Sequence, residues 1–382
     1  MTTPADLFIR INENAVNEIL KKHFEYFREV ISGENHGFKW ELTNQKAKYP
    51  NVEFESNARF DAENDFNIQF GLEIKYQPDK EPVANGDIFL IGIRLQLLEK
   101  KGKLSLKIKD KPMLIQSFSK DPASKDLFEK FLEVASSDLE SYLERIQLPD
   151  VSFGVDMLYS TICFFDGNMF ILNSLTEFYR FPERFSNTAV ELRLSQTLLG
   201  RIMKNRMKTP IGITNLDPKK PIKSLSINPD WESIRCNCSD ISLDITATGS
   251  AEIDELICAI NTKNYFNVRF GIDINNQGND HAIRLSYKSS DSLKLNLVPF
   301  PDSIKAFFEG ILAIFMTMDS INIDGIEMIK QELTKVPLEI GKIPNVTVPL
   351  TKERKMLCSP ELSIEYGKNS IILKGDIKTS II

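Results

Sequence analysis

Several stretches of the chain alternate strictly between apolar and polar residues. Phe66, Ile68, Phe70, Leu72 and Ile74 fall on one side of an extended segment, with Asn67, Gln69, Gly71, Glu73 and Lys75 on the other. A two-residue period of this kind predicts a half-buried antiparallel strand. Leu104, Leu106 and Ile108 alternate with Lys103, Ser105, Lys107 and Lys109 in the same way. Elsewhere the period changes to that of a helix. After Asn12, which suits an N-cap, Val16, Ile19, Leu20, Phe24, Phe27, Val30 and Ile31 recur at helical spacing up to Gly33. Ser195 takes the cap position before a second stripe of Leu198, Leu199, Ile202, Met203 and Met207. Proline at the first helical position predicts another helix after Asp121-Pro122, running through Phe128 and Leu132 to Ile146 and ending at Leu148-Pro149. A counterpart starts near Asp302 and stays apolar on almost every side through Phe307, Phe308, Ile311, Phe315 and Met318. Hairpins are predicted at Asp166-Gly167 and at Gly367-Lys368-Asn369, and the mid-strand glycines Gly71 and Gly271 predict a bend or bulge in a coiled sheet.

These patterns recur in order. Asp65-Phe-Asn-Ile-Gln-Phe-Gly-Leu-Glu-Ile74 is echoed by Tyr265-Phe-Asn-Val-Arg-Phe-Gly-Ile-Asp-Ile274, and Leu7–Asn12 by Val190–Ser195. Ile93-Arg-Leu95 matches Ile283-Arg-Leu285, and Leu104–Ile108 matches Leu293–Leu297. Leu148–Phe153 matches Ile343–Val348, and Phe165–Leu172 matches Tyr366–Leu373. Single matches arise by chance, but a collinear series with slowly drifting offset is the mark of a duplication. Its join is expected between Ser174 and Ser186, with modules at 1–180 and 181–382. A chain of 382 residues also exceeds what one core ordinarily fills.

Charge and composition narrow the function. A net charge of −6 gives no basic footprint, so nucleic acid is not an expected partner. The start of the chain lacks a basic segment followed by an apolar run, and the longest apolar stretch, near Ile311–Met318, falls short of a bilayer span. The expectation is a soluble protein, cytoplasmic if Met1 is the native start and otherwise secreted or periplasmic. Cys163, Cys236, Cys238, Cys258 and Cys358 form an odd, scattered set, read as reduced thiols, with Cys236 and Cys238 on the same side of one strand.

Signals for catalysis are weak. His23, His36 and His281 have no metal-ligand spacing, and no metal or cofactor is expected. Ser117-Phe-Ser-Lys120 fits a nucleophile pattern that lacks its companion motifs. Asp273-Ile-Asn-Asn-Gln-Gly278 echoes the start of a calcium loop, but Arg284 stands where a glutamate is required, so a hairpin turn is predicted. No phosphate-binding loop or nucleophile elbow occurs. The chain is expected not to be an enzyme.

A strand, a long amphipathic helix, a curved antiparallel sheet, a second helix, an apolar-Pro-x-Val segment and a closing hairpin, all present twice, resemble the tubular lipid-binding (TULIP) superfamily. Its members include the bactericidal permeability-increasing and lipopolysaccharide-binding proteins, cholesteryl ester transfer protein and bacterial relatives in clostridial toxin clusters. The secreted animal members carry a disulfide and a signal peptide that this sequence does not show, so a bacterial or intracellular relative fits better.

The resemblance implies an α+β protein of two tandem modules in a boat-shaped arrangement. Each module would wrap a highly curved antiparallel sheet around a long helix, leaving an apolar tube for a lipid or other hydrophobic ligand. Burying a methylene is worth about 0.8 kcal/mol, so one acyl chain contributes on the order of 10 kcal/mol before ordering costs. The lining expected from the resemblance is Phe66, Ile68, Phe70 and Leu72 with Ile19, Leu20, Phe24 and Phe27 in the first module. In the second it is Phe266, Val268, Phe270 and Ile272 with Leu199, Ile202 and Met203. A closed core wants the same side chains, which keeps open a second reading as a protein-interaction or toxin-complex accessory component. Two further expectations concern surfaces. Phe307–Met318 is a candidate for touching a membrane or protein partner during lipid loading. Lys100, Lys101, Lys103, Lys107, Lys109 and Lys111 are candidates for anionic headgroups or, alternatively, a solvated strand face.

Overall fold

The computed structural model describes residues 3–26, 31–35, 38–44, 51–54, 65–78, 87–100, 103–117, 125–126, 128–129, 132, 153–176, 179–180, 185–206, 211–213, 222–253, 256–261, 266–277, 280–290, 296–297, 338–349 and 354–382. Most of this is curled antiparallel sheet, with two helices described end to end, Glu13–Tyr26 and Gln196–Arg206. Lys125, Asp126, Phe128, Glu129 and Leu132 are also helical, as the Asp121-Pro122 start predicts. Phe27, Met207, most of the predicted 122–146 helix and all of its 302–318 counterpart lie outside the described residues.

Three large sheets organise the described residues, beside a two-stranded parallel pair of Thr3–Pro4 with Tyr179–Arg180. One seven-stranded sheet contains Ile31–Asn35, Phe38–Asn44, Asn51–Glu53, Asp65–Pro78, Asp87–Lys100, Lys103–Ile108 and Met113–Ser117. A nine-stranded sheet takes the strands between Ile211 and Pro344. The third, central sheet draws on both ends of the chain. Its order is Tyr159–Phe165, Asn168–Ser174, Leu7–Asn12, Val190–Ser195, Ser370–Ile381, Lys355–Gly367 and Val346–Pro349. Ile31 and Gly33 belong to a strand, so the first helix is shorter than its apolar stripe predicts. The Ile-Ser-Gly run, with a β-branched residue and a glycine that weakens a helix, pairs with Phe38–Asn44 instead of continuing the helix.

The central sheet is symmetric in register. Leu7–Asn12 and Val190–Ser195, which match in sequence at an offset of 183 residues (7 to 190), pair antiparallel so that Ile9 faces Leu192, its match at that offset. Backbone hydrogen bonds follow the same relation. The Asn12 N–H donates to the Ala189 carbonyl and the Ser195 N–H to that of Asp6. At the helix starts, the Glu13 N–H donates to the Gly167 carbonyl and the Gln196 N–H to that of Asn369. Asn12 caps its helix through the Asn14 N–H at 2.9 Å, and Ser195 caps the other through Leu198 at 3.0 Å.

Two sequence matches shift. Each closing hairpin has a two-residue turn, Asp166-Gly167 between Phe165 and Asn168 and Lys368-Asn369 between Gly367 and Ser370. The hairpins are therefore offset by 202 residues (165 to 367), one more than the sequence match gives. A one-residue slip exchanges the two faces of a strand. It is Ile171, not Leu172, that shares Leu373's inward position. Likewise Ile93 faces Ile68 whereas Ile283 faces Ile274, so the Ile-Arg-Leu triplets occupy different places along their hairpins. The predicted irregularity near Gly271 is present. The ladder shifts between Arg269 and Phe270, and a Cβ at Gly271 would lie 2.6 Å from Lys288 Cε. At Gly71 the ladder to Asp87–Lys100 is continuous, without a bulge.

The outer face of the central sheet carries a buried ionic cluster. Arg10, opposite Glu191 in the ladder, is 1% exposed, and Glu191 is 0% exposed. The guanidinium donates to the Asn168 side chain at 2.8 Å and the Thr188 carbonyl at 2.6 Å, beneath the 185–189 segment, and lies over the Phe185 ring. Glu191 accepts from the Ser186 N–H at 2.6 Å and pairs with Arg193. Burial alone raises a carboxyl pKa, but the Ser186 hydrogen bonds and the Arg193 charge outweigh it and hold Glu191 below its ordinary range. A depressed pKa stabilises the fold above the unfolded-state value and loses that contribution as pH falls through the folded-state value. Acid denaturation followed by circular dichroism should therefore show a loss of stability below about pH 4.3, and Glu191→Gln should flatten that limb while lowering stability at neutral pH.

Candidate ligand-binding interior

The central sheet is the floor of two apolar interiors. In the second half, Leu199, Ile202 and Met203 of the helix Gln196–Arg206 meet Val268, Phe270 and Ile272 in one buried cluster. Ile241, Leu243 and Ile245 of the neighbouring strand complete the curved wall, and Leu194, Ile371 and Leu373 form the floor. Six of the seven lining residues expected in this half thus come together. Phe266 is in register with Ile245, but its side chain lies outside the described atoms.

The first half is assembled differently. Phe66 is buried, and it packs with Ile68 and Leu20 against Phe89, Ile91, Ile93, Leu95 and Leu97. Phe54, Phe66 and Phe164 form an aromatic triad with centroids 5.1 to 5.8 Å apart, and Phe89 stacks on Phe128 at 4.0 Å. Phe70 and Leu72 are in register with Ile91 and Phe89. Phe24 is buried. Ile19 departs from the expected set. It packs against the cluster of Met356 and Cys358 in the chain's last strands, on which Val346 and Val348 also pack. One helix face thus serves two neighbours, because the C-terminal hairpin extends past its own half and reaches the first helix.

That crossing is reciprocal. Val155, Phe153, Met157 and Leu175, from the first half, pack into the second-half cluster. Phe153, with φ of +53°, sits against Gly341, where a Cβ would lie 2.6 Å from the ring, and Gly154 accepts a hydrogen bond from Asn205 of the second helix. His281 contributes a polar stitch from the nine-stranded sheet, its Nε2 lying 2.9 Å from both Asn345 Oδ1 and Ser359 Oγ. No local sequence signal marks this exchange. The strand Asp87–Lys100 is not among the elements singled out from the sequence; the signal for it is the inward alternation of Phe89, Ile91, Ile93, Leu95 and Leu97.

Each helix is fastened to the edge of its sheet. The Asn17 amide clamps the Val52 backbone, donating to its carbonyl at 3.1 Å and accepting from its N–H at 2.6 Å. Glu13 accepts from the Phe54 N–H at 2.7 Å. At the equivalent positions Gln196 accepts from the Cys236 N–H at 3.4 Å, and Gly200 allows the helix to touch the Trp231 carbonyl, which a Cβ would strike.

Other sequence expectations resolve as follows. Cys236 is buried at a strand end whereas Cys238 is exposed beyond it, so the two do not share a face. Burial pushes the Cys163 and Cys236 thiols up to about 12 and Cys358 up to about 11. Lys103, Lys107 and Lys111 are exposed, but Lys109 is bound to Asp65 at 2.7 Å, where Arg94 also pairs, so the lysine series is not a uniform solvated face. Asp273 faces Arg284 in a hairpin ladder. Among the described residues no cluster of His, Cys, Asp and Glu is placed to hold a metal ion, and no helix is long and apolar enough to cross a membrane. His36 and Phe307–Met318 lie outside the described residues.

Solved structures similar to the chain include two of P47 and one of a lipopolysaccharide binding protein. P47 from Clostridium botulinum A2 is 12% identical, with 97% of each chain covered and a TM-score of 0.42. P47 of Clostridium botulinum E1 is 13% identical over 99% of this chain and 100% of that one, with a TM-score of 0.43. A lipopolysaccharide binding protein is 12% identical over 98% of this chain and 99% of that one, with a TM-score of 0.35. No family model and no curated protein matches the sequence.

Two measurements probe this packing. Gly200→Ala gains about 1 kcal/mol of helix propensity, but its Cβ meets backbone that cannot step aside, a cost of about 1–3 kcal/mol. A lowered thermal midpoint is expected, and a raised one would contradict the close approach. Alkylation of the native protein, read by peptide mass, should modify Cys238 and spare Cys163, Cys236 and Cys358 until denaturant is added.

Proposed function

We propose that the chain is a non-enzymatic binder, and carrier, of a lipid or similar hydrophobic ligand, built as two tandem modules of the tubular lipid-binding kind. The observation that supports this reading is the packing of helix and curled-sheet side chains into one apolar cluster in the second half, where Leu199, Ile202, Met203, Val268, Phe270 and Ile272 come together. The chemistry of such a wall is limited to excluding water, and excluding water from an acyl chain is what a lipid carrier must do. No charged group is required, and in this reading the headgroup stays near the opening.

A second reading has its own support. The stack of Phe89 on Phe128 and the Phe54, Phe66 and Phe164 triad show first-half space taken up by the protein's own side chains. A module filled in this way would act as a scaffold in a protein assembly, leaving ligand uptake to the second half alone. Organic extraction of protein purified without detergent from its native source, followed by mass spectrometry, separates the two. Stoichiometric acyl-chain lipid that is lost on Val268→Trp but kept on Ile68→Trp places the carrier function in the second half. A lipid-free extract from folded protein would reject the carrier reading and leave the assembly role.

A further inference from the structure

The two edges of the central sheet are guarded very differently. At one end, Val346–Pro349 is a four-residue strand closed by proline. At the other end, no described strand pairs with the outer side of Tyr159–Phe165. The nine residues from Met157 to Phe165 contain no charge, no proline and no glycine. Soluble proteins protect their sheet edges with such residues, because an unguarded edge is a template for another strand. Leu158 is 70% exposed, Tyr159 39% and Phe165 44%, so three of the eight exposed large apolar side chains among the described residues fall within this one short edge.

The internal symmetry supplies a control. At the offset of the closing hairpins, Tyr159 and Cys163 correspond to Glu361 and Glu365, which pair with Lys378 and Lys374 on an ordinary solvated face. The second half also covers its equivalent strand with Val346–Pro349. In the first half the matching residue Phe153 is turned away by the positive φ of Phe153 and Gly154 and lies on Gly341 instead.

We infer that a second copy of this chain pairs antiparallel along the Tyr159–Phe165 edge, giving a two-fold dimer whose central sheets run on into one another. Nothing in Met157–Phe165 offers a charge for a charged partner to recognise, and a self-pair brings no like charges together. Centred on Ile162, such a pair sets Tyr159 of one copy opposite Phe165 of the other, covering both exposed rings at once. The molecule already contains one junction of this type, Leu7–Asn12 on Val190–Ser195 about Ile9 and Leu192. A closed two-fold leaves no further free edge of this kind, so association stops at the dimer.

Sedimentation velocity of the full chain in reductant, over a dilution series, tests this. The wild type is expected to sediment as a dimer, and Tyr159→Lys with Phe165→Lys as a monomer with unchanged circular dichroism. Glu361→Gln, at the equivalent second-half position, should remain dimeric. A monomeric wild type, or a dimer that a folded double variant leaves intact, would overturn the inference. Should the double variant not fold, cross-linking decides. In a Cys238→Ser background, mixed Tyr159→Cys and Phe165→Cys proteins should oxidise to a mixed disulfide dimer in preference to either homodimer. A statistical mixture, or no dimer, would refute the proposed register.

Discussion

Leu7–Asn12 and Val190–Ser195 stand nearly half the chain apart, yet everything else is arranged around their antiparallel pairing. Each strand is flanked by the hairpin that closes its own half, and each leads directly into a helix whose first N–H is satisfied by that hairpin's turn. The pairing is therefore a constraint on both interiors at once, since it sets the floor, the point where each helix leaves it and the direction in which the helix runs. Contacts of such high sequence separation are slow to form, because loop-closure entropy must be met before any of them contributes. The buried Arg10 and Glu191 sit on this pair and fix its register, because a slip would leave a charge without its partner in a site closed to water.

The two halves reach similar ends with different side chains. Where Asn17 grips the Val52 backbone with both atoms of its amide, the equivalent Gly200 achieves closeness by having no side chain. The first interior is filled with stacked and edge-on phenylalanines, while aliphatic residues dominate the second. A ligand site and a solid core are made from one vocabulary of residues, so substitution can alter how full one side is without disturbing the floor they share.

Much of the architecture was legible in the sequence, because it rests on local periodicity. Alternation located the strands Asp65–Pro78 and Lys103–Ile108, the caps Asn12 and Ser195 located both helices, and Asp166-Gly167 located a turn whose two residues both adopt positive φ. What escaped is what periodicity does not encode. The apolar stripe continued through Ile31, but pairing with Leu42 overrode it. The Phe165–Leu172 match was displaced by one residue, since hydrophobic identity alone does not fix which of two adjacent aliphatics points inward. Ile19 looked like its neighbour Leu20, and only the arrival of Met356 and Cys358 from the far end of the chain separates their roles.

The reciprocal crossing bears on how this molecule can be divided. Leu7 and Val155 belong to the second-half cluster, and Ile19 is covered by residues beyond Val346. A cut between Ser174 and Ser186 would follow the repeat in the sequence but would strip each product of part of its packing and leave an unpaired strand along its length. The halves marked by sequence periodicity are thus not self-contained in packing, because each completes part of the other's buried cluster.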